Sequence, residues 1–348
     1  MTDRRTDPTP SGPARACPDG MDAGEARSMD LAVGGQALIE GVMMRSPRYL
    51  AMAVRTPDGR IVVRKKPFSS IVRKLPFLNI PVLRGGVHLI ETMGLGIDAL
   101  MFSADQATSE DRVEGGKTSL KDSLLMWGTV AFSFVLSMGL FFYLPIILTD
   151  LVVAKDHGSL AWNAVDGLFR VVLFVAYLWG VSKLPDMGRV FMYHGAEHKS
   201  IHAFEHGNTL DAAGARPWTT LHPRCGTSFL FFVMLISIVV FSFLGRPETV
   251  ADRLQRLAFV PLIGGLAYEA IKLSGKHGKS WFVRPAIWPG LMLQKITTKE
   301  PDDAQLTVAM AALRSVLTPE ADDFRERVYF DMPDAAPDQV PAAAGGVS

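Results

Sequence analysis

From Ser123 to Leu148 the chain runs without a single charged side chain. Nothing constrains the fold more. About 20 apolar residues in a helix match the hydrocarbon thickness of a bilayer, and a run of that length and polarity is too greasy to expose in water. Three further segments have comparable character: Leu168–Leu184, Ser228–Leu244 and Leu254–Leu273. The sequence therefore predicts a mainly α, polytopic membrane protein with about four transmembrane helices. The second run is short and the fourth contains Glu269, so a buried core helix is the competing assignment for those two.

Composition agrees with this class. Of 348 residues, 48% are apolar and 20% charged, and 36 Lys and Arg nearly balance 35 Asp and Glu. A net charge of +1 gives no global pull toward nucleic acid, and none is expected as a partner. The two cysteines, Cys17 and Cys225, cannot make a disulfide framework. Residues 1–29 are polar and rich in Pro, Gly, Asp and Arg, with no apolar core of a cleaved signal, and read as a disordered leader.

Residues 30–75 predict a small N-terminal cytosolic β element. Tyr49 to Arg55 and Arg60 to Arg64 are apolar, β-branched runs separated by Pro57-Asp58-Gly59, a hairpin signal. The basic residues of segment 60–74 (Arg60, Arg64, Lys65, Lys66, Arg73, Lys74) stand just before membrane segments, where such residues contact anionic lipid headgroups. Residues 76–122 read as an interfacial helix and a linker. Leu83 to Phe102 is long enough to span, but His88, Glu91 and Asp98 within it favour an interfacial or partly re-entrant helix. The membrane core is then 123–274, interrupted by a His-rich helix at 188–207. Residues 275–330 hold an interfacial segment with Trp281 and Trp288 and a C-terminal helix from Asp302 to Leu317 docked on the core, and 331–348 read as a disordered tail. Lys and Arg concentrate before the first span, in the second loop and after the fourth, which predicts both termini and the His-rich helix on the cytoplasmic side of a bacterial inner membrane. Arg246, Arg253 and Arg256 in the third loop run against that orientation.

The chemistry gathers in Tyr193-His194-Gly195-Ala196-Glu197-His198-Lys199-Ser200-Ile201-His202-Ala203-Phe204-Glu205-His206-Gly207, which holds four of the eight histidines. On a helix, His194, His198 and His202 form a stripe, Glu205 returns near the azimuth of His194, and Gly207 is placed to cap the end. His-x-x-Glu-His has the order of an inverted zinc-hydrolase motif, two histidines holding metal and Glu197 moving protons. Further on, His222-Pro223-Arg224-Cys225 places two more ligand types at the mouth of a span. Two arrangements follow, for Zn²⁺ or another divalent transition metal. If His194, His198, His222 and Cys225 all bind, the shell is closed and the metal structural. If three protein ligands bind, a position stays open and Glu197 acts as general base, with Glu205, His202 and Glu269 as candidates for the third ligand. Glu269 has the simpler alternative of pairing with Lys272 or His277. Arg224 and Lys199 suit either an anionic substrate or lipid headgroups. No phosphate-binding loop, dinucleotide fingerprint or Gly-x-Ser-x-Gly elbow is present in the sequence.

Gly34-Gly35-Gln36-Ala37-Leu38-Ile39-Glu40-Gly41-Val42-Met43-Met44-Arg45, Tyr193 to Lys199, and His222-Pro223-Arg224-Cys225-Gly226-Thr227-Ser228-Phe229 resemble the YqhQ-like family of bacterial membrane proteins. Tyr268-Glu269 and the block Pro289 to Pro301 are similar to later family blocks, and the resemblance covers about Leu31 to Arg327. That family is catalogued as a domain of unknown function and labelled metal-dependent. The resemblance implies a multi-span inner-membrane protein and points to His194, Glu197 and His198, while His202 and His206 fall outside the family pattern. Three functions are open at this stage: a metal-dependent hydrolase acting on a membrane-associated substrate, a non-catalytic scaffold or assembly factor with a structural zinc, and a metal-ion transporter.

Overall fold

The structure, a computed structural model, describes residues 33–107, 120–154, 158–276, 284–317 and 327–329. Cys17, His157, His277 and Trp281, with the leader and tail, lie outside them.

Four strands, β1 (Gly34–Leu38), β2 (Gly41–Arg45), β3 (Tyr49–Arg55) and β4 (Ile61–Pro67), form an antiparallel meander in sequence order, and β5 (Arg327–Tyr329) adds beside β4. The β3–β4 hairpin turns where Pro57-Asp58-Gly59 predicts it, with Gly59 at φ 85°, a conformation that costs other residues more. The strands read as continuous apolar runs because both faces are covered. Val42, Met44, Ala51, Ala53, Ile61 and Val63 point to one core, which they share with Tyr193, Ala196, Leu306, Ala309 and Leu313. The alternate residues Met43, Leu50, Met52, Val54 and Val62 point to a second core with Ala99 and Phe102. Arg64 lies 4.0 Å over the Phe102 ring and Lys66 pairs with Asp98 at 2.8 Å. Part of the basic segment is thus engaged internally, while Arg73 and Lys74 in the single turn α1 (Ile71–Lys74) are exposed.

Among the described residues five helical stretches, one more than the four expected, are long and apolar enough to cross a membrane. The additional one is α2 (Leu83–Ala107), which was expected at the interface. It buries Gly96, Ala99, Phe102 and Ser103 and exposes Ile90, Met93, Ile97 and Met101, an apolar stripe on its other side. The next stretch is α3 (Leu120–Met138), a π-turn over Gly139–Tyr143 and α4 (Leu144–Val152). Then comes α5 (Ser159–Val181), which begins well before Leu168. Its first turns carry Asn163 and Asp166, which hid the start of the helix from a hydropathy reading, and Arg170 follows one turn later. They are satisfied internally. Arg170 pairs with Asp166 one turn away at 2.9 Å and donates to Phe141 O at 2.9 Å, a carbonyl in the π-turn, where the backbone ladder is re-spaced.

The buried Arg256 donates to Asn163 and to Gly245 O, and Arg246 pairs with Asp150 at 2.7 Å. Two of the three arginines that ran against the expected orientation are therefore consumed by internal partners. The remaining candidate spans are α8 (Gly226–Leu244) and the pair α9 (Val250–Ala258) and α10 (Val260–Lys276), which follow α6 (Pro185–His206) and the short turn α7 (Ala212–Ala215). After them come α11 (Arg284–Thr297) and α12 (Asp303–Leu317), the latter docked on the sheet as expected.

Candidate metal centre

The site is built on α6. Gly207, at φ 71°, ends the helix in the left-handed conformation, its N–H bonding back to Phe204 O. The helix is wedged between β1, α12 and the segment that follows α11. Lys299 N donates to Phe191 O at 2.9 Å, and Gly195 lies so close to this segment that a Cβ there would stand 2.1 Å from Lys299 O. That contact requires glycine. Lys199 is buried, pairs with Glu300 and donates to Arg216 O at 2.9 Å, so it holds the fold together instead of facing a substrate.

The ring nitrogens of His194 and His198 are assigned by their surroundings. His194 Nδ1 lies 2.8 Å from Thr297 O and His198 Nδ1 2.5 Å from Thr220 O. A carbonyl only accepts, so each Nδ1 carries the proton and each Nε2 keeps its lone pair. Both lone pairs look toward Cys225. His194 Nε2 is 3.2 Å from Cys225 Sγ, and His198 is also within hydrogen-bond reach of that sulfur. Cys225 is the N-cap of α8, where Thr227 N–H faces the sulfur at 3.5 Å. His194, His198 and Cys225 each offer a ligand atom within 4.8 Å of the others, and burial holds His198 below the ordinary imidazole range, in the form that binds metal.

His222 does not join that trio. It groups with His202 and Glu205, again with ligand atoms within 4.8 Å, so the four ligands of the closed arrangement are divided between two clusters. His202 Nε2 donates to Leu221 O at 3.0 Å, while its Nδ1 is buried with no hydrogen-bond partner. Glu205 Oε2 is 3.6 Å from His222 Nε2, and its other oxygen pairs with Arg224. Burial lowers the pKa of both His202 and His222. The clusters adjoin, with the His198 and His222 ring centroids 5.6 Å apart.

Glu197, on the same helix and 5% exposed, is buried near enough to both clusters that His194 and His222 act on its charge. Burial raises its pKa above the usual carboxylate range, although those two rings and the Gly35 N–H oppose the rise. A Cβ on Gly35 would sit 2.9 Å from Glu197 Cγ, which gives the Gly34-Gly35-Gln36 string its reason. Glu269 lies apart from both clusters. Its hydrogen-bonding partner is Arg84 of α2, through two contacts of 2.6 and 2.5 Å, and Lys272 acts on it only through space.

Several supporting residues escaped sequence reasoning. Gln294 is fully buried and clamps the His222 loop, accepting from His222 N at 2.7 Å and donating to His222 O at 2.8 Å and Ser228 Oγ at 3.2 Å. Thr220 and Thr297 contribute only carbonyls, which no side-chain pattern reveals. An amide inside the apolar run Ile287 to Ile296 was the one legible signal, since a buried Gln must find partners.

No solved structure matches the chain. It is 32% identical over 302 residues to "Uncharacterized protein YqhQ" of Bacillus subtilis (strain 168), covering 83% of this chain and 93% of that relative. A family model described as "Protein of unknown function (DUF1385)" matches residues 80–319, which include both ligand clusters and Glu197. The chain belongs to the DUF1385 family.

Proposed function

We propose that the protein is a metal-dependent hydrolase of the bacterial inner membrane, with His194, His198 and Cys225 holding a divalent transition metal, zinc by the softness of its N and S donors, next to the bilayer. The observation that carries this reading is the pairing of both Nδ1–H groups with backbone carbonyls, which leaves two imidazole lone pairs and a sulfur converging on one point. A metal bound there supplies Lewis acidity and room for an open position. Glu197, buried and held above the usual carboxylate range, takes up a proton and returns it to a leaving group. Gly35 N–H orients that carboxylate, and Gln294 fixes the loop that brings Cys225 to the histidines. The substrate class is membrane-associated, because α8 starts at Cys225 and is itself a candidate span.

The packing supports four crossings. The sheet precedes every apolar helix, α6 lies in their middle and α12 follows them all, yet the three share one core. Parts of one soluble body lie on one side of a membrane, so an even number of crossings separates each from the next. Three apolar helices lie between β4 and α6, and α2 is the one whose Ala99 and Phe102 enter the second core of the sheet. In this reading α2 rests its exposed stripe in the membrane face, the core is cytoplasmic, and Arg73 and Lys74 meet anionic headgroups. A structural zinc is the second reading, favoured by the burial of His198 and Cys225 and by the joining of α6 to the start of α8 through the ligands.

The test is metal analysis of the purified protein beside the Glu197→Gln variant. A hydrolase keeps its metal in that variant and fails to restore the phenotype of a deletion strain. Full restoration would reject catalysis in favour of the structural role, and a metal-free wild-type protein would reject both.

A further inference from the structure

The lone pair on His202 Nδ1 has no use in the function just proposed. It is buried, it has no partner, and its direction is fixed by the bond from Nε2 to Leu221 O. Burying such an acceptor unpaired is unfavourable, so a feature of this kind asks for a ligand. His202, Glu205 and His222 each offer a ligand atom within 4.8 Å of the others. Glu205 is already oriented as a ligating carboxylate is, one oxygen held by Arg224 and the other turned to His222 at 3.6 Å.

We propose that His202, Glu205 and His222 form a second divalent-cation site beside His194, His198 and Cys225, so that the centre takes two metal ions. The proposal deepens the reading of the first trio as a metal site and rests on it. An anion is a poorer occupant of the second cluster, because His202 Nδ1 and Glu205 both present acceptors. Two imidazoles and a carboxylate form a harder set than the first trio, with its sulfur, and suit Zn²⁺, Mn²⁺ or Fe²⁺. His222 joins by exchanging a proton for the cation. Its Nδ1 now accepts from Arg224 N at 3.3 Å, which leaves the ring proton on Nε2. Ligation through Nε2 moves that proton to Nδ1 and gives up this long contact.

Metal stoichiometry tests this on the full chain in detergent, stripped with chelator, reloaded with Co²⁺ or Zn²⁺ and desalted. Wild-type protein is expected to hold two ions per chain, and His202→Ala and Glu205→Gln one each. In those two variants the cobalt–thiolate charge-transfer band of the first site is retained. Cys225→Ala loses the band and keeps the second ion. One ion per chain in the wild type, unchanged by His202→Ala, overturns the second site and leaves the first standing. One ion that survives Cys225→Ala but not His202→Ala overturns the first trio and the pair, and no ion at all overturns both. Should His202→Ala fail to fold, His202→Phe keeps a flat ring without a lone pair, and the wild-type count decides by itself.

Discussion

Two regions of this molecule bury polar and charged groups, and they do it in opposite ways. In the helical core, Asp166, Arg170, Asn163 and Arg256 close on one another and on the carbonyls of Phe141 and Gly245. The atom left over is a donor, Arg256 Nη1, at 3.8 Å from Asp166. At the histidine helix His194, His198 and His202 each give a ring proton to a carbonyl, and the nitrogen left without a partner, His202 Nδ1, is an acceptor. Saturated pairs fasten helices together, while lone pairs gathered beside a thiol and a carboxylate can take a cation or a proton. Burial alone does not mark a functional site. The sign of what remains unpaired does.

The largest expected effect follows from removing a ligand. Cys225→Ala should leave the first trio unable to retain metal through dialysis, a loss beyond the roughly 10–100-fold that removal of an outer-shell partner costs. Unchanged metal content by elemental analysis would erase the distinction between the two regions. Asp166→Ala should do the reverse. Leaving Arg170 and Arg256 without their carboxylate should cost about 3–5 kcal/mol in chemical denaturation, with metal content of the folded fraction unchanged. Gln294→Leu touches both behaviours, because it strands the His222 N–H and C=O. About 1–3 kcal/mol of stability should go, together with roughly 10–100-fold in metal affinity by chelator competition.

The metal-free protein should also show a pH signature. Burial lowers His198, His202 and His222 from 6.5, so the unfolded chain takes up protons that the folded one refuses, and stability falls as pH drops below that value. Glu197 is raised from 4.5, so the folded state keeps a proton that the unfolded one releases, and this contribution is lost as pH rises through its folded pKa. Glu197→Gln should abolish the second slope and keep the first, measured as denaturation midpoints from about pH 4.5 to about pH 8. The smallest effect belongs to the exposed Arg216–Asp303 pair, where Arg216→Ala should change stability by about 0–1 kcal/mol and metal content not at all.

Much of this was legible in residue order. The hairpin at Pro57-Asp58-Gly59, the helix ending at Gly207 and the docked helix from Asp303 to Leu317 follow from local chemistry, and each formed where its signals stand. The start of α5 was missed because Asn163 and Asp166 look too polar for an apolar helix until their partners are known. The same blindness assigned Glu269 to a metal or to Lys272, when its partner, Arg84, lies far away along the chain. Hydropathy sees the cost of each buried charge and not the pairing that offsets it.

The sequence by itself determined that this is a mainly helical chain with helices long and apolar enough for a bilayer, and that its metal-ligand residue types gather in the His-x-x-Glu-His helix and the His-Pro-Arg-Cys loop. Periodicity and ligand spacing are local properties, and residue order carries them completely. Only the tertiary structure decided which ligands meet. It set His194 and His198 with Cys225 and placed His222 with His202 and Glu205. The reason is physical: backbone carbonyls of Thr220, Leu221 and Thr297 choose which nitrogen of each ring keeps a lone pair, and a carbonyl has no letter in the sequence.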